Sequence, residues 1–206
     1  MKIYNFSAGP ACLNESVLSV ASEASLEYKD SGMSLLEMSH RSKEIVSLFE
    51  ETTENLQSLL SIPSNYKILW LQGGASLQFP MIPMNLISKG GSADYIDTGS
   101  WSLKAINECN KLETAITIAS SSKSNYSFIP KQFEQNIESN YLHITSNNTI
   151  YGTQYKDYPE VINPNGFLVA DMSSDILSKP INVSDFGLIY AGAQKNMGPA
   201  GVTLVI

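Results

Sequence analysis

A chain of 206 residues, 43% hydrophobic and 16% charged, has enough apolar side chains for one sizeable domain with its own core. Its formal charge of −7, with no block of lysine or arginine, argues against nucleic acid and against an anionic membrane as partner. Two cysteines without a CxxC pair, Cys12 and Cys109, argue against a disulfide scaffold or a metal site and fit a reducing compartment. No apolar signal-like stretch opens MKIYNFSAGPACLNE and no run approaches a membrane span, so a cytoplasmic protein is expected.

Residues 1–14 read as an arm before two amphipathic helices. The first is predicted over 15–30, with Asn14 as N-cap, Ser31-Gly32 as stop and Val17, Ala21, Ala24 and Tyr28 on one stripe. The second is predicted over 41–60, with Ile45, Leu48, Phe49, Thr52, Leu56 and Leu59 as its stripe and Pro63 after its end. From there strands and helices alternate. KILWL (67–71) reads as a buried strand, and QGGASLQF turns into a helix that Pro80 and Pro83 should kink. ADYIDTG (93–99) is a strand, WSLKAINECNK a helix, TAITIAS (114–120) a strand, and IPKQFEQNI a short helix. YLHITS (141–146), FLVAD (167–171), GLIYAG (187–192) and VTLVI (202–206) complete the strands. Such alternation, with runs apolar on both faces, indicates an α/β fold with a largely parallel sheet. The chain stops inside an apolar strand, which suggests a partial domain.

Open α/β sheets place ligands at the carboxyl ends of their strands, and four groups fall at such ends. Gln72-Gly73-Gly74-Ala75-Ser76 follows KILWL: paired glycines and a helix start suit a phosphate, or make only a tight turn. Asp171 closes FLVAD and could cap a helix, bind a metal or pair with a cation. Gln194-Lys195 follows GLIYAG: a partly desolvated lysine is a Schiff-base nucleophile, whereas an exposed one is merely a turn residue. Trp101, Thr149 and the pair His40-Arg41 form the fourth group. Singly these read as a core aromatic, a turn residue and a salt-bridging arginine whose partner would be Glu37 or Glu44. Taken together, a phosphate cradle, a strand-end aspartate and a strand-end lysine are the parts that a pyridoxal 5′-phosphate site needs.

NFSAGPA (5–11), EMSHRSKE (37–44), GGASLQF (73–79), NNTIYGT (147–153), ADMSSDILSKPINVSDF (170–186) and IYAGAQKNMGPAGVT (189–203) carry a resemblance over the whole chain. The chain resembles the phosphoserine aminotransferase family, class V of the fold-type I pyridoxal-phosphate enzymes. The resemblance implies a seven-stranded, mainly parallel large domain over 15–206, with a small C-terminal domain beyond this chain. Lys195 would carry the cofactor and shuttle the proton, and Asp171 would pair with the pyridinium nitrogen. Trp101 would stack on the ring and Thr149 would bond near its hydroxyl. Ala75, Ser76 and Gln194 would hold the phosphate, while His40 and Arg41 would grip the substrate's distal anion. Some relatives have arginine where Ser76 stands, which leaves more of that grip to Arg41. The activity implied is amino transfer from glutamate to 3-phosphohydroxypyruvate, giving phosphoserine and 2-oxoglutarate, within serine and, in some bacteria, pyridoxine biosynthesis. A homodimer with interfacial sites is implied, so this length alone should catalyse poorly. A cysteine desulfurase-like enzyme of the same fold and a non-catalytic fragment are the competing readings.

Overall fold

The order of elements follows from how the apolar runs are spaced. In the computed structural model, which describes residues 3–206, these elements are α1 (Glu15–Leu26), α2 (Lys43–Leu60), β1 (Leu69–Leu71), α3 (Gly74–Leu86), β2 (Ser92–Asp97), α4 (Ser100–Cys109) and β3 (Thr114–Ser120). They continue through β4 (Tyr141–Thr145), the small hairpin β5 (Asn147–Asn148) and β6 (Thr153–Gln154), then β7 (Phe167–Asp171), β8 (Leu188–Gly192) and β9 (Thr203–Val205). Seven strands form one sheet in the order β1-β9-β8-β7-β4-β2-β3. Ladders from β3 through β8 are parallel, and β9 runs antiparallel to both β8 and β1. The expected α/β class with a mainly parallel sheet is what the chain adopts.

Strand periodicity divides the core in two. Ile96, Leu142, Ile144, Leu168, Ala170 and Ile189 point to one face, where Leu56 and Leu60 of α2 cover them together with Met172, Ile176 and Phe186. Their sequence neighbours Tyr95, Tyr141, Val169 and Tyr190 point to the other, under Phe79 and Ile82 of α3 and Ala105 and Ile106 of α4. Both faces being covered explains why the central runs lack polar alternation.

Local signals set several boundaries. Asn14 caps α1 by accepting from the Ser16 N–H at 2.9 Å. That helix ends at Leu26 rather than near residue 30, because the chain turns through left-handed Lys29 and Asp30 and thereby buries Tyr28. No residue of α1 is buried, so its apolar stripe has no covering here. Ser42 caps α2, which starts at Lys43 and buries Ile45, Leu56 and Leu60, whereas Phe49 and Leu59 of the predicted stripe are exposed. KILWL is shorter and more open than predicted: β1 is an edge strand with Leu69 exposed. The prolines Pro80 and Pro83 lie inside α3. The predicted helix over 129–137 does not form. Gln135 spends its amide on the Glu160 carbonyl and the Ile162 N–H, and the Asn136 N–H goes to Asp94 at 2.7 Å. The Gln135 side chain is thus tied to residues 160–162 and the Asn136 N–H goes to Asp94 in place of a helical carbonyl, while Ile129 and Phe133 still pack on the core.

Because Ile144 is fully buried in the central strand β4, Ile144→Ala should cost about 3 kcal/mol in urea unfolding. Glu54→Ala on the exposed side of α2 should stay within about 0.5 kcal/mol.

Candidate functional site

Parallel neighbours β2, β4, β7 and β8 end on the same edge of the sheet, and their outgoing loops converge there. Asp171 is the last residue of β7 and is buried. Its Oδ1 accepts the Ser173 N–H at 2.9 Å, and the Ser173 hydroxyl accepts the Gly192 N–H at 3.0 Å, so one serine ties the aspartate turn to the end of β8. Beyond Gly192 the chain turns through Ala193 and Gln194 to a half-buried Lys195. Its Nζ lies 3.4 Å from Thr149 Oγ1 and 4.7 Å from the centroid of the Trp101 ring. Trp101 donates its Nε1–H to the same Thr149 oxygen at 3.2 Å. Three loops therefore meet at one threonine hydroxyl.

The supports of this group were not evident from the sequence. Trp101 stands in the first turn of α4, whose N-terminus is held by Ser102: its hydroxyl accepts the N–H groups of Thr98 and Gly99 at 2.9 and 3.0 Å and donates to Asp97 at 3.0 Å. Asp97, closing β2 as Asp171 closes β7, also receives the hydroxyls of Ser120 and Tyr126. Thr149 sits in the β5–β6 hairpin, anchored by Asn148 Nδ2 donating to Thr98 Oγ1 at 2.8 Å. An acidic residue closing ADYID, as one closes FLVAD, is the signal that would have found Asp97.

Burial and charge act in opposite directions here. Burial pushes the Asp171 carboxyl up, offset by the hydrogen bonds from Ser173 and then by the Lys195 charge. Burial pulls the Lys195 amine down, and the Asp171 charge pulls it back. The N-terminal arm packs on the same lysine. The Ala11 N–H donates to the Gln194 carbonyl at 2.8 Å, and a Cβ on Gly9 would come within 2.8 Å of Lys195 Cγ. Glycine is required there by close approach.

Ala75 and Ser76 lie in the first turn of α3, whose N-cap is Gly73 at φ +90. A side chain at Gly73 would also strike Leu77. No side chain caps this helix among the described residues, so its first N–H groups remain open to an anion. His40 and Arg41 are exposed beside the start of α2. Among the described residues no hydrogen bond, ion pair or ring contact joins either side chain to the Lys195 group, and neither Glu37 nor Glu44 pairs with Arg41. Likewise no group of three or more His, Cys, Asp or Glu that could hold a metal occurs among the described residues. A cavity of about 890 Å³ lies at the opposite ends of β7 and β8, near Phe167 and Gly187, and includes none of these residues.

A lysine and an aspartate thus stand at adjacent strand ends of a doubly covered parallel sheet, with an aromatic ring beside the amine and an open helix N-terminus nearby. Among known proteins, the aminotransferase class-V family model matches residues 3–206, and the chain belongs to that family. It is 52% identical over its whole length to a phosphoserine aminotransferase of Lysinibacillus sphaericus, of which it spans 57%. The chain superposes on a phosphoserine aminotransferase solved in a study of radiation damage to its Schiff base, with a TM-score of 0.95 at 50% identity, over 99% of this chain and 57% of that one. The pyridoxal-phosphate-bound phosphoserine aminotransferase of Trichomonas vaginalis gives 0.91 at 38% identity, over 99% and 57%.

Since the Lys195 amine sits below the 10.5 of an ordinary lysine and Asp171 holds it up, its reactive neutral form should appear as pH rises through a midpoint under that value. Asp171→Asn should move the midpoint lower still. Amine-selective labelling followed by peptide mass analysis across a pH series measures both midpoints.

Proposed function

We propose that this chain carries the cofactor-binding part of a phosphoserine aminotransferase, and that residues 15–206 belong to its large domain with residues 3–14 as an arm across the lysine loop. The observation that supports this most is the half-buried Lys195 amine, 4.7 Å from the Trp101 ring and under the charge of the buried Asp171. These residues fit pyridoxal 5′-phosphate. When bound, the cofactor supplies an electron sink that its protonated ring nitrogen makes effective.

The chain's own residues divide the work. Lys195 holds the cofactor aldehyde through its amine and afterwards moves the proton at the substrate α-carbon. Asp171, held by Ser173, keeps a negative charge where the ring nitrogen must stay protonated. Trp101 and Thr149, both beside the Lys195 amine, would help hold the cofactor ring there, the one with an aromatic face and the other with a hydroxyl. Ala75 and Ser76, at the open start of α3, and Gln194, in the lysine loop, hold the phosphate. Arg41, assisted by His40, grips the distal anion of the substrate, since a planar fork accepts carboxylate and phosphate alike. The reaction read from this set is amino transfer from glutamate to 3-phosphohydroxypyruvate, the step that yields phosphoserine for serine biosynthesis.

The chain spans just over half the length of the phosphoserine aminotransferases it matches. Exposed apolar side chains of the arm and α1, among them Tyr4, Phe6, Val20 and Leu26, support a homodimer that covers them. Both cysteines are free, Cys12 exposed and Cys109 buried, which supports a reducing, cytoplasmic setting. No described helix is long and apolar enough to cross a membrane.

Added pyridoxal phosphate should produce a visible absorption band that Lys195→Ala abolishes; a band that survives the substitution overturns the assignment. Glutamate and phosphoserine should each bleach that band, whereas alanine and cysteine should not. Reaction with cysteine alone would favour the desulfurase-like reading. Arg41→Ala should weaken the response to both anionic donors about tenfold or more, as loss of a bidentate charge-assisted pair would, and leave the band in place.

A further inference from the structure

Behind Asp171 the sheet holds two buried polar rings that the function above does not use. Asp171 on β7 is paired in register with Tyr190 on β8, which sets the two side chains side by side on one face of the sheet. That hydroxyl lies 2.9 Å from Nε2 of His143 on β4. All three are buried. His143 is clamped by its ring, stacked on Tyr95 of β2 at 4.8 Å and 27°, and its Nδ1 has no partner among the described residues. The edge of Phe79 from α3 meets the Tyr190 ring at 6.3 Å. A histidine and a tyrosine placed in otherwise apolar strands, mutually bonded and in register beside a buried carboxylate, need a reason.

We propose that Tyr190 and His143 are positioning residues for Asp171: His143 donates from Nε2 to the tyrosine oxygen, and Tyr190 in turn donates its proton to the Asp171 carboxylate. The direction follows from the acceptors available. The hydroxyl has one proton, and a carboxylate is a stronger acceptor than an imidazole nitrogen. His143 must then keep its own proton on Nε2, which leaves Nδ1 as a bare lone pair. An unpaired acceptor is tolerated in a core more readily than an unpaired N–H. Burial holds His143 neutral, with its pKa lowered to about 3, so the relay keeps this sense across the working pH range. The other titratable groups around it are Tyr95, Tyr141 and Cys109, all with raised pKa values, and Asp175 and Lys195 near the carboxylate. The donated proton favours the ionised carboxylate and offsets its burial. The inference rests on the proposed cofactor role only for the use made of that charge.

Three measurements on the full chain decide it. In the unmodified chain without cofactor, the nitrogen shifts of His143 should report a proton on Nε2; a proton on Nδ1 overturns the proposal. Also without cofactor, Tyr190→Phe should raise the midpoint of the Asp171 carboxyl titration, followed by carbon NMR and assigned with Asp171→Asn, by about one pH unit, a tenfold change in equilibrium. His143→Phe, which keeps the stacked ring, should raise it in the same direction by less. A purely structural role would lower the unfolding midpoint and leave the carboxyl titration alone, which overturns the proposal. With cofactor, Tyr190→Phe should weaken pyridoxal phosphate binding about tenfold while the visible band persists. Loss of the band in Lys195→Ala tests the cofactor reading separately, so either idea can fail without the other.

Discussion

Two opposite charges withdrawn from water, Asp171 and Lys195, set the terms for the rest of the site. Each is disfavoured by its own burial and favoured by the other's charge. Neither compensation is complete, which leaves an amine closer to its neutral form than a surface lysine and a carboxylate that depends on hydrogen bonds to stay ionised. The surrounding contacts read as means of holding that balance. Ser173 bonds the carboxylate and the end of the neighbouring strand together. Thr149 and Trp101 fix the amine from the other side. Asp97 and Ser102 fix the helix that carries the tryptophan.

This arrangement depends on parallel topology more than on any single loop. Strands that run the same way deliver their carboxyl ends to one edge, so residues far apart in sequence become neighbours without a special fold of the chain between them. Asp171 and Lys195 are delivered by β7 and β8, Thr149 by the hairpin after β4, and Trp101 by the turn after β2. The antiparallel strand β9 then places β1, and hence the glycine turn that opens α3, on the far side of β8.

Much of this was legible in the sequence because covered parallel strands are written as short apolar runs. TAITIAS matches β3 residue for residue, and the runs predicted over 93–99, 141–146, 167–171 and 187–192 lie within a residue or two of β2, β4, β7 and β8. Where side chains from distant segments decide the backbone, the local pattern misled. Ile129 and Phe133 have helical spacing, but the partners of Gln135 and Asn136 draw residues 129–137 out of a helix. The residues later matched to a site were legible as types at strand ends. Their supports were hidden, since His143 and Tyr190 look like ordinary members of YLHIT and LIYAG until the sheet brings their side chains within hydrogen-bond reach across β7. His40 and Arg41 show the converse: a motif visible in sequence whose side chains lie exposed and, among the described residues, make no hydrogen bond, ion pair or ring contact with the lysine group.

The strand order also fixes a sequence of assembly. Among the described residues, β1 comes first in sequence of the seven sheet strands, yet the strand it pairs with is β9, which comes seventh. A chain growing from its N-terminus can therefore join β2, β3, β4, β7 and β8 while β1 still lacks a hydrogen-bonding partner, and the pairing of Leu69 with Val205 must close a long loop. The same wait applies to the arm, whose Ala11 N–H needs the carbonyl of Gln194. Contacts of such sequence separation form slowly. The apolar edge of β8 is thus left bare until β9 emerges to cover it, and that interval is when a nascent chain is most exposed to pairing with a neighbour instead of with itself.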